Sequence, residues 1–238
     1  MGMYIGGMYW SLSYILLAAA FIFTIAAQRK VSTQYARYAS VRCRSGISGQ
    51  QAARIILDSH GLNSVPIGMT RGRLTDHYDP RKDSLSLSPE VYGDSSISSV
   101  AVAAHECGHA MQEAEGYALL RIRDFIAVPV SFISHAAIPL MIIGIIVINA
   151  GMYTEGNLVF NIGIYAFIAV VIFHLVTLPV EINASRRAIG ELVQNNIIYE
   201  EEVGGAESVL RAAAMTYVAA LAMAVSNLIR LLLIRGNN

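Results

Sequence analysis

The sequence predicts a mainly α membrane protein, in which about four transmembrane helices carry a modest polar domain of α+β type. Three observations predict it. The 238 residues are 55% apolar and only 14% charged, with a mean hydropathy of +0.50, against about 45–50% apolar and roughly 25% charged in soluble domains. Four runs are apolar for at least the ~20 helical residues that a hydrocarbon core demands. The Lys and Arg residues gather on one side of those runs. Acidic and basic totals match at 17 each, so net charge points to neither nucleic acid nor an acidic partner. Cys43 and Cys107 are too few for a disulfide framework and read as free thiols.

The apolar runs cover roughly residues 8–27, 125–150, 158–180 and 212–234. No Lys or Arg precedes the first, and Arg29 and Lys30 follow it directly. That polarity is the reverse of a signal peptide, so the run reads as an uncleaved anchor. The expected division is an N-terminal anchor (1–27), a polar domain (28–124), the second and third spans (125–180), a second polar segment (181–211), and the fourth span with its tail (212–238).

Orientation follows from the cations. Residues 28–124 hold twelve of them, and the segment 181–211 adds Arg186, Arg187 and Arg211. The short loop "GMYTEGN" holds none, and only Arg230 and Arg235 oppose the trend. Fifteen against two places both polar segments in the cytoplasm and both termini outside.

Within the polar domain, "SGISGQQAARIILDSHGLN" predicts a helix with Ser48 as N-cap, Gln51 completing a capping box and Gly61 as terminator. Ala52, Ile55 and Ile56 share one face. Alternation around residues 65–70 and 84–88, with "DPRKD" supplying turn residues, predicts a small hairpin or three-stranded sheet. Pro89 ends the strand, and a helix follows over about 96–115, closed by Gly116.

That last helix contains "AVAAHECGHAMQE". His105 and His109 stand four apart, one above the other on a single face, so both imidazoles can serve one metal ion. Glu106 is offset around the helix and can reach a metal-bound water rather than the metal, which is the physical content of the H-E-x-x-H pattern. Zinc brings the pKa of such a water to about 7, and the glutamate takes its proton as a carbonyl is attacked. The bland alternative is a surface helix with two solvated histidines. The small apolar flank "SVAVAA" argues for burial instead, and burying His, Glu and His together is costly without a partner.

A catalytic zinc usually takes three protein ligands. The positions at which a metzincin helix would supply Gly and a third His are Gln112 and Glu115, so that arrangement fails, and Glu113 reads as a helix-surface residue. Glu181 in "LPVEINASRRAIGEL" lies at the cytoplasmic end of the third span, on the same side as the histidine helix. An acid at a membrane boundary needs a reason, and a metal is one; the alternative is a salt bridge to Arg186 or Arg187. His174 and His135 fall inside spans and read as histidines bonding neighbouring helices. His60, beside a helix-ending glycine, reads as exposed.

"LTDHYDPRKDSLSLSPEVY", "AVAAHECGHAMQEAEGYALLRIR" and "TLPVEINASRRA" together resemble the bacterial neutral zinc metallopeptidases of the YugP type, over nearly the whole chain. The resemblance implies a membrane-embedded, zinc-dependent metalloendopeptidase of gluzincin character, with a zincin-like domain built from a small sheet and the active-site helix. His105, His109 and Glu181 would bind Zn2+, with Glu106 as general base. It places the chain in a bacterial inner or plasma membrane. More distantly the layout is similar to HtpX-type and CAAX-processing membrane proteases. In those an aspartate four residues after the ligand glutamate buttresses a histidine; here that position is Ser185, and Asn183 lies two before it.

Oxyanion stabilisation could fall to His77, Tyr78, Tyr117 or Arg186. The strand "RLTDHYDP" could take an extended substrate by edge pairing. Expected substrates are membrane-associated or misfolded proteins and peptides met at the cytoplasmic boundary, with the bilayer as the other partner and no nucleic acid. The rival reading is a non-catalytic metal-binding scaffold or a metal-ion transporter. A transporter wants ligands near mid-membrane, whereas the acid–histidine cluster lies at the boundary, and a scaffold need not keep Glu106.

Overall fold

The computed structural model describes residues 2–236, with side chains from 12 to 235. The order of elements is α1 (Gly2–Ala39), α2 (Gly49–Ser59), β1 (Ile67–Met69), β2 (His77–Asp79), β3 (Ser84–Leu87), α3 (Pro89–Gly93), α4 (Ile97–Ala114), α5 (Ala118–Asn149), α6 (Tyr153–Gln194) and α7 (Glu200–Gly236). The fold is mainly helical. Four of the helices, α1, α5, α6 and α7, are long and apolar enough to cross a membrane.

These helices reach beyond their apolar runs, each at one end or both. The third apolar run reaches Val180, yet α6 continues unbroken to Gln194. Nothing in "EINASRRAIGELVQ" breaks a helix: it lacks proline, and its one glycine costs only about 1 kcal/mol against alanine. The expected polar segment 181–211 is therefore helical for most of its length, as the end of α6 and the start of α7.

The chain divides into two compact units. One comprises the chain up to Ala26, Ile122–Leu178 and the chain from Tyr217. Its interior is small, formed by Ala137, Met141, Phe160, Ile164 and Leu231. Large apolar side chains point outward from it, among them Ile15 at 63%, Phe125 at 82% and Phe132 at 75% exposure. Left in water, each such side chain would forfeit about 1.5–3 kcal/mol of burial; a hydrocarbon solvent removes that cost.

The second unit, Ala27–Arg121 with Pro179–Thr216, has a conventional core. Helix α2 starts as its sequence predicts. The Ser48 hydroxyl accepts the Gln51 backbone N–H, and the Gln51 side chain accepts the Ser48 N–H. It buries Ala52, Ala53, Ile56 and Leu57 against α4. Gly61, at φ +72°, turns the chain away in the left-handed region that favours glycine. Helix α4 opens at Ser96, whose hydroxyl accepts the Ser99 N–H. It is buried through Val100, Ala101, Ala103, Ala104, Cys107, Ala110 and Met111. Cys43 and Cys107 are both buried and free.

The sheet is three-stranded with order β1-β3-β2. Strand β3 lies in the middle, parallel to β1 and antiparallel to β2 in the register His77↔Ser86, Tyr78↔Leu85 and Asp79↔Ser84. Leu85 and Leu87 carry its buried face. Pro89 does more than end the strand, because it opens the short helix α3 as a first-turn proline.

One contact in this unit sets the spacing of α4 and α6. A Cβ at Gly108 would lie 2.7 Å from the Ala184 carbonyl oxygen and 3.1 Å from its Cα. Only glycine lets the two backbones meet there. Gly108→Ala is expected to force the helices apart at a cost of about 1–3 kcal/mol, read as a lowered Tm of the detergent-purified protein; an unchanged Tm would show that the contact is slack.

Candidate metal centre

The close contact at Gly108 and Ala184 decides what faces what. Gly108 lies between His105 and His109 in the sequence, and Ala184 between Glu181 and Ser185. Packing the two backbones together therefore presents Glu181 to both imidazoles. Glu181 Oε2 lies 3.3 Å from His105 Nε2 and 3.5 Å from His109 Nε2. The three side chains are well shielded, at 15%, 12% and 5% exposure for His105, His109 and Glu181. Their ligand atoms all lie within 4.8 Å of one another. Burial by itself pushes the Glu181 carboxyl up, but the hydrogen bonds and charge of the two imidazoles outweigh it and hold the carboxyl well below the usual range.

The rest of each imidazole is held as well. Ser185 lies 3.2 Å from His105 Nδ1 through its hydroxyl oxygen. His109 Nδ1 lies 3.0 Å from Gln112 Oε1. The orientation of the Gln112 amide is fixed by its other neighbours, since its nitrogen meets the Val180 carbonyl at 2.9 Å and Asn183 Oδ1 at 2.8 Å. A carbonyl can only accept, so the Gln112 oxygen must face His109 and the proton must sit on Nδ1. His109 Nε2 then turns a lone pair toward a carboxylate oxygen. Two acceptors at that distance need a cation between them, either a proton on the ring or a metal.

The donor set fits a zinc ion. Ligands about 2.0–2.1 Å from a tetrahedral centre lie roughly 3.3 Å apart, and the two nitrogen–oxygen separations are close to that edge length. Two neutral imidazoles and one carboxylate are also a donor set that zinc takes.

Asn183 serves at one remove. Its Oδ1 accepts from Gln112 and from Arg187 Nε at 2.8 Å. Arg187 in turn grips Glu115 at the end of α4 with two bonds, of 2.6 and 2.7 Å. The hydrogen bond from Arg187 holds the Glu115 carboxyl below its ordinary range. The pair is therefore formed at neutral pH and weakens only as pH falls through that lowered value. Neither Arg186 nor Arg187 is the partner of Glu181: Arg186 is exposed, and Arg187 is committed to Glu115.

Glu106 sits on α4 beside His105, and its Oε2 accepts the Tyr78 backbone N–H at 3.1 Å. That bond needs β2 beside α4, and the sheet order leaves β2 an edge strand with β3 on its other side. The Tyr78 hydroxyl is engaged elsewhere, donating to Asp83 at 2.7 Å. Burial and that bond push the hydroxyl above its ordinary range. His77 is exposed, and its Nδ1 lies 2.8 Å from the Thr75 carbonyl. Tyr117 donates its backbone N–H to the Gln112 carbonyl. Glu113 is partly exposed and outside the donor set.

The remaining histidines stand apart. His60 is not simply exposed: its Nε2 meets the buried Glu191 at 2.9 Å. His135 does not bond a neighbouring helix as expected but turns to the Ser131 carbonyl of its own, and His174 lies edge-on to Phe173 beside it in the chain. From the sequence, Gln112 is legible only as the position where a metzincin would carry glycine. Its signal was its place three residues after His109, on the same helix face.

Residues 13–236 match the family described as "Putative neutral zinc metallopeptidase". The chain belongs to that family. It is 42% identical over 219 residues to the "Putative membrane protease YugP" of Bacillus subtilis (strain 168), covering 92% of this chain and 94% of that protein. No solved structure matches. For this member of the zinc metallopeptidase family, the family's metal and the donor chemistry of His105, His109 and Glu181 agree. Gln112→Leu keeps the side-chain bulk but frees the His109 ring, and is expected to weaken zinc binding about 10–100-fold. Chelator competition on the purified protein measures it, and unchanged affinity would show that the amide is a bystander.

Proposed function

We propose that the protein is a membrane-embedded zinc metalloendopeptidase of gluzincin character. On this reading it hydrolyses peptide bonds of membrane-associated or misfolded chains at the cytoplasmic boundary of a bacterial inner or plasma membrane. The observation that carries the reading is the convergence of His105, His109 and Glu181, with Glu106 beside them and anchored by the Tyr78 N–H.

His105, His109 and Glu181 hold the metal. Zinc bound there supplies a Lewis acid that polarises a carbonyl and makes water nucleophilic near neutral pH. Glu106 is the general base. The Tyr78 N–H fixes one of its carboxylate oxygens, so the other can take the proton given up by the attacking water and pass it to the departing amine. Gln112 and Ser185 keep the imidazole rings turned with Nε2 inward.

Substrate is held at β2. The strand pairs with β3 along one edge, and the Tyr78 N–H on its other edge points to Glu106. An extended peptide laid along the rest of that edge, beside the N–H that Glu106 takes, would add a strand and bring its backbone next to the base. The zincin-like arrangement of sheet and active-site helix rests on this neighbourhood of β2 and α4. The cytoplasmic placement rests on the distribution of cations, fifteen of seventeen in the two polar segments.

Glu106→Gln is expected to keep zinc at wild-type stoichiometry and lower cleavage of an unfolded membrane-protein substrate by about 10²–10⁴-fold, whereas Glu181→Ala loses the metal. Wild-type turnover in the first variant, or full zinc in the second, would remove the assigned role. Thr154→Cys, in the first turn of α6 and between the second and third apolar runs, is expected to react with a membrane-impermeant maleimide added to intact cells. Protection there, with labelling after lysis, would reverse the orientation.

A further inference from the structure

Away from the metal donors, the polar stretches of α1 and α7 enclose a cleft of about 270 Å3. Lys30, Gln34, Arg37 and Tyr38 line it from α1, and Glu207 and Arg211 from α7. Lys30, Gln34 and Arg37 follow one another at spacings of four and three, which stacks them along one helix face. Three cations thus meet a single carboxylate. Glu207 approaches only Arg211, at 3.8 Å. Lys30 and Arg37 have no carboxylate partner among the described residues; the Arg37 guanidinium lies instead over the Tyr38 ring, 5.4 Å from its centre. Among the described residues the Gln34 amide and the Tyr38 hydroxyl also donate to no protein acceptor. The cleft thus holds more donors than its one carboxylate, Glu207, can satisfy.

Its place along the two helices says which acceptor would reach it. Lys30 comes three residues after the apolar run of α1 ends, and Arg211 immediately precedes the apolar run of α7. On helices that cross a bilayer, those are headgroup positions. A basic pocket between membrane helices suits an anionic headgroup.

We propose that this cleft binds the phosphate headgroup of an anionic phospholipid. A phosphodiester brings one negative charge and two unesterified oxygens. Arg37 and Arg211 offer planar pairs of N–H donors that match such oxygens. Lys30 supplies a third charge, and Gln34 and Tyr38 supply neutral donors for the remaining headgroup oxygens. A choline headgroup carries its own cation into the same cleft and is disfavoured. The proposal rests on the membrane reading and is independent of peptide hydrolysis.

The test is native mass spectrometry of the full chain, released from detergent after equilibration with phosphatidylglycerol or phosphatidylcholine. One phosphatidylglycerol retained per chain is expected, in preference to phosphatidylcholine. The triple variant Lys30→Gln, Arg37→Gln, Arg211→Gln should lose that retention about a hundredfold, at about fivefold per cation, the equivalent of ~1 kcal/mol each. The control triple Arg42→Gln, Arg71→Gln, Arg81→Gln removes the same charge from exposed positions elsewhere and should retain the lipid, as should Glu106→Gln. Equal retention by both triples, or equal loss, would overturn the site. Displacement of the lipid by millimolar inorganic phosphate would assign the cleft to a soluble anion and overturn the lipid.

Discussion

The structure depends on one contact, the meeting of the α4 and α6 backbones at Gly108 and Ala184. A carboxylate and two imidazoles from distant parts of the chain cannot share an ion unless their helices approach closely and in one register. The missing side chain at position 108 permits the approach, with 2.7 Å left for any Cβ. The register follows from the helical repeat. Residues 105 and 109 flank Gly108 on one helix, residues 181 and 185 flank Ala184 on the other, and each pair spans one turn. Packing and ligand geometry are thus the same fact seen at two scales.

Around that contact the polar groups are nearly all spoken for. Gln112 uses its amide three ways, toward His109, Val180 and Asn183. This solves a problem that burial creates. A fully buried amide must satisfy every donor and acceptor or lose stability, and doing so leaves only one orientation open. The buried Gln112 thereby converts a packing constraint into a choice of histidine tautomer. The line from Gln112 through Asn183 and Arg187 to Glu115 then extends this fastening to the end of α4, so the stretch that follows His109 is tied to α6 at two places.

Much of this was legible in the residues. The capping box at Ser48 and Gln51, the helix that starts near Ser96, a small sheet and the four apolar helices follow from local rules that act over a few residues. His105 and His109 were legible for the same reason, since a spacing of four is a statement about one helix. Glu181 could be singled out because an acid at the edge of an apolar run is energetically conspicuous. Tyr78 is legible only as one of several oxyanion candidates, whereas its backbone N–H meets Glu106, and a backbone group leaves no trace in side-chain identity. Gln112 was passed over because glutamine in a helix is unremarkable until a carbonyl from another helix fixes its amide. The continuation of α6 past its apolar run was missed because hydropathy reports where lipid ends, not where hydrogen bonding along the backbone ends.

Because Glu181 is carried 76 residues after His105, on a helix that begins at Tyr153, the two imidazoles emerge from the ribosome well before the carboxylate does. A nascent or prematurely terminated chain holds the histidine pair without its counterpart. The three donors thus stand together only once the stretch of α6 beyond its apolar run has been made and packed on α4 at Gly108 and Ala184, which gives biosynthesis an intrinsic order: the helices first, the donor cluster afterwards.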